Sequence, residues 1–439
     1  MLHASLLGRL EFTLDGAPIA PSTGRALELL VFVASSPDWR SHADLEAIFG
    51  SVSDSSSAGL ADFAAHLEFA SGGVRFVGSS DVNAYRSLAG DLKGLSKLRG
   101  AFCPNLTSSN PAFQMWLEEE RFNLRRVFLA ALLQNAAQLH ESGRVKEGKA
   151  NLSFVQRESA TLEPRFAALL SLELARYHWR LHQPELTART LEAALPALSG
   201  AVRDEAAVNL GAALVRVGRL EDAIARLTSI EGSASRGWAL AHRANAQRYA
   251  GQLEAAVLTA DLAYRAAVAD EDGFLAVSAL CVKGEALLEL AITAGTEPLE
   301  ATIAFGKAFG ITELLGEEAS AAPLAGLAHA HAVWGNQQKA LEQAEKAFKR
   351  ARAAKDSASV IRALLSLYAT TRIGSFARNA LSEARAFGHL PLELLASLSV
   401  LEKDTDPALA QHALELARLT GNAACETRAQ SFKTVESPS

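Results

Sequence analysis

Residues 211–223 read GAALVRVGRLEDA, and the same spacing returns at residues 244–256 (ANAQRYAGQLEAA) and 328–340 (AHAHAVWGNQQKA). In each segment a small residue is followed by glycine seven positions on, and by alanine five positions after that glycine. Glycine readily ends a helix in the left-handed conformation, and alanine lets a second helix pack closely against the first. The pattern therefore predicts antiparallel helix pairs of the tetratricopeptide type. The alanines expected at the helix crossings are Ala223, Ala256 and Ala340.

The helix pairs extend along most of the chain. Turns in the same phase fall at Gly143, His182 to Pro184, Gly218, Gly251 and Gly335, with weaker ones near Gly374 and Pro407. A further pair around residues 285–302 gives a period of roughly 34–42 residues, as in tetratricopeptide arrays. A generic helical bundle is the alternative, but a bundle does not need the Gly-to-Ala offset repeated in register. We therefore predict a mainly α protein built on a tetratricopeptide-like α-solenoid.

Composition and charge limit the classes of protein to which the chain can belong. The 439 residues are 49% hydrophobic and carry a net charge of −6, which disfavours a chain that coats nucleic acid through bulk charge. The three cysteines are far apart and form no C-x-x-C motif, so we expect reduced thiols. The first residues lack the basic lead of a signal peptide, and no apolar stretch approaches the ~20 residues of a membrane span. The expected location is the cytoplasm, without a membrane segment.

The first ninety residues differ in character from the rest. Alternating apolar and polar residues flank Asp15-Gly16, which predicts a β-hairpin over residues 6–19. Three helices are predicted at residues 25–34, 43–49 and 58–70, and a short strand at residues 74–77. Hairpin, three helices and strand, in this order, are typical of a small α+β head of the winged helix-turn-helix type.

Several motifs resemble one bacterial family. Residues 116–125 read WLEEERFNLR, residues 24–30 read GRALELL, and the spacing of Ser41, Asp44 and Phe49 fits the same pattern. Together they resemble the antibiotic-regulatory activators, in which a response-regulator-type winged helix precedes a bacterial transcriptional activator domain that is itself tetratricopeptide-like. The resemblance implies a transcription regulator that binds DNA through its head. It also implies a winged-helix-like head at 1–90, the activator domain at 91–232, further repeats at 233–430 and a disordered tail at 431–439.

The presumed recognition helix departs from that family. In the family this helix carries several Arg and Lys residues, whereas residues 58–70 here contain none and include Asp62 and Glu68. Residues 1–99 hold eight Lys and Arg against eleven Asp and Glu, a net charge of −3, although duplex-binding domains are normally basic. The wing also looks short, because residues 74–77 run almost directly into Asp81. The residues left to contact DNA are Arg25, Arg40, Ser57, His66 and Arg75.

The first helix of each repeat lines the concave face of such arrays, so its polar residues are candidates for binding a partner. Counted from the turn glycines, the inward positions include Asn209, Arg216, Trp238, Asn245, Arg248 and His329. Asparagine and arginine can bind a peptide backbone while tryptophan holds an apolar anchor. Ordinary polarity of a helix surface is the alternative explanation.

No catalytic constellation is present in the sequence. Residues 143–149 (GRVKEGK) match the P-loop spacing, but Ala150 stands where Ser or Thr would bind Mg²⁺, and a helix precedes the segment instead of a strand. His178 and His182 share a helix face without an evident third metal ligand. We therefore expect neither an enzyme nor a metal or cofactor site.

Two functions fit these observations. The first is a transcriptional regulator with a DNA-binding winged-helix head and a repeat body that binds a protein or peptide partner or self-associates. The second is a tetratricopeptide adaptor whose head no longer binds DNA. Duplex DNA is a partner only in the first, and homodimer formation stays open in both.

Overall fold

The computed structural model describes residues 2–19, 24–50, 63, 65–70, 72–88, 91–97, 100–230, 235–316 and 320–433. Contacts divide the chain into two compact units, Met1–Glu173 and Leu174–Ser439. The boundaries at residues 90 and 232 were placed by sequence character and stay predictions. No helix in the described ranges is long and apolar enough to cross a membrane.

The head contains two small sheets. Its strands are β1 (Leu2–Ser5), β2 (Glu11–Leu14), β3 (Ala17–Ile19), β4 (Arg40–Ser41), β5 (Leu67–Ala70), β6 (Gly73–Phe76) and β7 (Ser79–Ser80). One sheet has the order β3-β2-β1-β7 and the other the order β4-β6-β5. The predicted hairpin is confirmed: Phe12 pairs with Ile19, and Asp15 and Gly16 turn the chain with φ of 50° and 86°.

Two helices lie between the strands of the head, α1 (Gly24–Ala34) and α2 (His42–Phe49). Ser41 caps α2 as predicted: its hydroxyl accepts from Asp44 N at 3.1 Å, and its own N–H donates to the Asp44 carboxylate at 3.2 Å. Two short helices, α3 (Asp81–Ser87) and α4 (Leu92–Lys97), follow the second sheet.

The predicted helix over residues 58–70 is wrong at its end. Residues 67–70 form strand β5, paired antiparallel with β6 so that Glu68 faces Arg75. The Gly72-Gly73 turn lets the chain reverse, and this pairing overrides the helix propensity of Leu, Glu and Ala. The strand that pairs with residues 74–77 in the wing is therefore β5, which comes before them in the chain and not after them. Residues 58–62 and 64 lie outside the described residues.

The motif at residues 116–125 lies on the long helix α5 (Pro111–Glu141) and packs onto the head. The Trp116 ring lies 4.9 Å from that of Phe32, and Glu120 forms an ion pair with Arg86. Arg121 donates hydrogen bonds to the carbonyl oxygens of Phe102, Cys103 and Leu106. These side chains therefore hold the first unit together.

The described residues that follow form helices joined by short turns, which confirms the α-solenoid. The helices after α5 are α6 (Val145–Ser159), α7 (Pro164–Arg180), α8 (Pro184–Ala194), α9 (Gly200–Arg216), α10 (Leu220–Thr228), α11 (Arg236–Tyr249), α12 (Leu253–Ala269), α13 (Gly273–Ala294), α14 (Leu299–Leu315), α15 (Ala321–Val333), α16 (Gln337–Ala353), α17 (Ser357–Thr371), α18 (Gly374–Phe387), α19 (Leu390–Leu401), α20 (Pro407–Thr420) and α21 (Ala423–Lys433). The turn glycines Gly218, Gly251 and Gly335 adopt φ of 77°, 77° and 84°, as a left-handed helix end requires.

The last helix corrects the predicted tail at residues 431–439. Residues 431–433 belong to α21, whose Ala429 is buried, and Lys433 donates to the side-chain oxygen of Gln411 at 2.6 Å. Packing against α20 thus extends order beyond the predicted limit. Residues 434–439 lie outside the described residues.

The repeat alanines are buried as the pattern predicts. Ala223, Ala256 and Ala340 have no exposed surface, and at the first small position a Cβ on Gly211 would lie 2.5 Å from Leu227. These close approaches explain why only small residues fit both positions of the pattern.

We expect Ala256→Leu to lower the free energy of unfolding by roughly 1–3 kcal/mol, because three extra carbons must enter a filled helix crossing. Urea unfolding followed by circular dichroism measures the change. Ala255→Leu, at the half-buried neighbouring position, is the control and should cost less. Equal stabilities for wild type and Ala256→Leu would show that the repeat phase is misplaced.

Candidate partner-binding chamber

Early and late helices of the second unit are in contact with each other. Asn422 donates from its side-chain amide to the carbonyl oxygen of Tyr249 at 2.9 Å. Arg216 donates to the carbonyl oxygen of Phe387, and its guanidinium lies 3.9 Å from the centre of that ring. The helices between these contacts surround a cavity of about 950 Å³, hereafter the chamber.

The first helices of successive pairs supply most of the chamber wall: α13, α15, α17 and α19. Apolar side chains cover part of it, among them Leu288 and Ile292 from α13, Val333 from α15 and Leu395 from α19. Ile292 and Val333 are 48% and 38% exposed, although both are large and apolar. The chamber thus presents apolar surface that no other described residue covers.

Four charged side chains form a buried network in the chamber wall. Arg248 is 3.0 Å from a Glu285 carboxylate oxygen and 2.6 Å from one of Glu289, and Arg362 Nε is 2.6 Å from the other Glu285 oxygen. Burial alone would raise the pKa of Glu285, but Arg248 and Arg362 together hold it below its ordinary value. Burial raises the pKa of Glu289, which has Arg248 as its one ion-pair partner in the described residues.

A second charged group, hereafter the cationic cluster, consists of Arg372, Arg428 and Glu402. Arg372 is 3.0 Å from a Glu402 oxygen, Arg428 pairs with the other oxygen, and the Tyr368 hydroxyl donates to the carboxylate at 2.8 Å. The Arg372 and Arg428 side chains are 61% and 44% exposed. Two guanidinium groups share one carboxylate, so the cluster carries an excess positive charge.

Two of the six predicted groove residues, Arg248 and His329, line the chamber. Burial lowers the pKa of His329, which favours its neutral form. Asn245 lies beside Arg248 and accepts a hydrogen bond from it at 3.4 Å.

The other three predicted groove residues lie elsewhere. Arg216 is buried between the rings of Trp179 and Phe387. Trp238 donates from its indole to Asp272 at 3.1 Å, and Asn209 is exposed.

Sequence reasoning missed Glu285, Glu289, Arg362 and the cationic cluster. One signal was present: Glu285 and Glu289 stand four positions apart within the mostly apolar helix α13, and buried acids need cationic partners. Those partners are distant in sequence, so only the superhelix brings them together.

The predicted DNA-contacting cations of the head have partners within the chain. Arg25 donates to the carbonyl oxygen of Phe49 at 2.6 Å, and Arg75 forms an ion pair with Glu68. Arg40 donates to Ser35 Oγ at 3.1 Å, and burial lowers its pKa. His66 is half-buried before β5, and Ser57 lies outside the described residues.

No family model and no curated protein matches the sequence. A solved structure does show the fold. A Rap protein complexed with Competence and Sporulation Factor matches with a TM-score of 0.51 and 14% identity, over 80% of this chain and 96% of that one. The apo form of RapI matches with a TM-score of 0.46 and 10% identity, over 80% of this chain and 95% of that one. A tetratricopeptide repeat protein from Parabacteroides merdae matches with a TM-score of 0.36 and 16% identity, over 61% of this chain and 98% of that one.

Proposed function

We propose that this chain is a regulatory adaptor whose chamber binds a peptide segment of a protein partner. The observation that carries the proposal is the chamber itself: a half-open cavity of about 950 Å³ with uncovered apolar surface and fixed charges. Binding sites commonly combine an apolar lining with a few placed polar groups. The Rap protein of similar fold, which is in complex with Competence and Sporulation Factor, supports this use of the fold.

The chemistry of the wall defines the kind of peptide. Ile292 and Val333 offer contact area to apolar side chains, and the cationic cluster offers unmatched positive charge to a carboxylate. The buried network is balanced, with Arg248 and Arg362 against Glu285 and Glu289, and so attracts neither sign strongly. The favoured ligand is therefore a short peptide that combines apolar side chains with an acidic group.

Fluorescence anisotropy of labelled ten-residue peptide pools tests this function. The pools are matched in Leu and Val content and differ in bearing Asp and Glu or Lys and Arg. The full chain should bind the acidic apolar pool and leave the basic pool unbound at the same concentration. Equal affinity for both pools, or no binding of either, would exclude the proposed ligand class.

Duplex DNA binding by the head is a second candidate. The order of elements along the head supports it. Strands β1 to β3 come first and are followed by α1, β4, α2 and then the β5–β6 hairpin. Strand β4 pairs with β6 of this hairpin. This order resembles a winged helix, and with the antibiotic-regulatory motifs it would make the chain a transcription regulator. Against it, no Lys or Arg occurs between Gly50 and Leu67, where the recognition helix of a winged helix would lie.

We expect the full chain to bind duplex DNA weakly, with a slope of log K against log [salt] no steeper than about −3, since the three arginines predicted to contact DNA, Arg25, Arg40 and Arg75, already have partners within the chain. Mobility-shift assays at several salt concentrations measure the slope. Glu68→Lys should strengthen binding, because it frees Arg75 and adds a positive charge on the hairpin.

The exposed Glu345 of α16 gives a control, since Glu345→Lys adds the same charge outside the head. Tight, sequence-specific binding with a steep salt slope by the wild type would reinstate the DNA-binding regulator as the first function.

A further inference from the structure

The outward face of α14 carries large apolar side chains that are exposed in the described part of the chain. Leu314 is 89% exposed, more than any other large apolar side chain in the described residues, and Leu299 and Ile303 are 52% and 50% exposed. The spacing of four and eleven residues places all three on one side of the helix. Phe305 lines the chamber from a different side of α14. The exposed face therefore points away from the chamber.

The same exposed face has a hollow at its centre. Gly306 and Gly310 lie between Ile303 and Leu314, and a Cβ built on either glycine would meet no atom within 4 Å. A helix with apolar side chains beside an open hollow can receive the side chains of another helix.

Two opposite charges flank the hollow symmetrically. Lys307 and Glu313 stand three residues before and three residues after Gly310, and both are exposed. Within the residues that the structure describes, neither forms an ion pair or a side-chain hydrogen bond. A two-fold axis through Gly310 would place each residue before the glycine opposite its counterpart after it.

We propose that α14 pairs antiparallel with α14 of a second copy of this chain, about a two-fold axis at Gly310. Lys307 of each copy then faces Glu313 of the other, and Leu314 of each copy enters the hollow at Gly306 of the other. Every contact forms twice, as an isologous interface requires. A second copy receives Leu314 in its hollow and pairs both charged residues, whereas a lipid surface would leave Glu313 unpaired.

Sedimentation equilibrium of the full chain from about 1 to 100 µM tests the pairing, since one helix and its flanks bury less surface than a permanent dimer. We expect a reversible dimer in this range. Leu314→Glu places a carboxylate in the contact and should give a monomer. Gly310→Leu should also give a monomer, yet should keep or raise the unfolding midpoint, because leucine favours the helix and meets no neighbour within the chain.

A charge exchange distinguishes this interface from any other. Lys307→Glu and Glu313→Lys should each weaken the dimer by at least about tenfold, and the double variant should restore it. Met115→Glu, at a 61% exposed position of α5, is the control and should leave the mass distribution unchanged. A wild type that stays monomeric at all concentrations overturns the proposal. So does a dimer that is insensitive to Leu314→Glu and to the charge exchange, because it must form through another surface.

Discussion

Replacing Glu285 by alanine should lower the free energy of unfolding by about 3–5 kcal/mol. The Glu285 carboxylate lies between Arg248 and Arg362, and its side chain is only 16% exposed. Its removal leaves Arg362 without its ion-pair partner and Arg248 with Glu289 alone. A buried cation that has lost its counterion keeps the full free-energy cost of desolvation. This cost is larger than the net stabilisation that the ion pair contributed. Urea unfolding of the full chain, followed by far-ultraviolet circular dichroism, measures the loss.

Glu289→Ala is the matched control, because Glu289 lies one turn further along α13, is more exposed and pairs with Arg248 alone. It should cost clearly less than Glu285→Ala. Glu285→Gln keeps the shape but removes the charge, and should fall between the two. Similar stabilities for all three variants would mean that water solvates Arg248 and Arg362 and that the network is not buried.

The double variant Arg372→Glu, Arg428→Glu reverses the charge of both arginines in the cationic cluster. It should weaken binding of the acidic apolar peptide pool by about 100-fold. Hydrogen bonds to a charged group contribute about 1.5–3 kcal/mol, and the reversal adds repulsion from Glu402 and the new carboxylates. The fold should persist, because both side chains are largely exposed. Anisotropy titrations at constant ionic strength measure the change.

Arg352→Glu serves as the control for charge. Arg352 is 51% exposed, pairs with Glu383 and does not line the chamber, so peptide affinity should stay at the wild-type value. If Arg352→Glu weakened binding as much as the double reversal, the effect would reflect net charge instead of the chamber.

The repeats could be predicted because their signal is local. The turn glycines Gly218, Gly251 and Gly335 and the buried alanines that follow them each act within one helix pair, so the spacing in the sequence carries the geometry. Strand β5 could not be predicted in the same way. Leu67 to Ala70 favours a helix by composition, and its strand conformation depends on the backbone bonds that β6 supplies.

The chamber residues were predicted only in part for a related reason. Arg248 and His329 could be predicted because each lies on the inward face of its own helix. Glu285 and Arg362 meet in the chamber wall although they are 77 positions apart in the chain, and Arg216 turns toward Phe387 because late helices of the second unit reach early ones. These long-range contacts depend on the course of the superhelix. The sequence pattern within one repeat does not specify that course.

Cross-linking tests the chamber most directly. A photoreactive residue is placed at an apolar position of the acidic peptide pool, the pool is irradiated with the full chain, and the attachment sites are mapped by mass spectrometry. The account predicts attachment to the chamber wall at Ile292, Val333 and Leu395, and its loss in the Arg372→Glu, Arg428→Glu variant. Attachment confined to the head or to the outward face of α14 would contradict it.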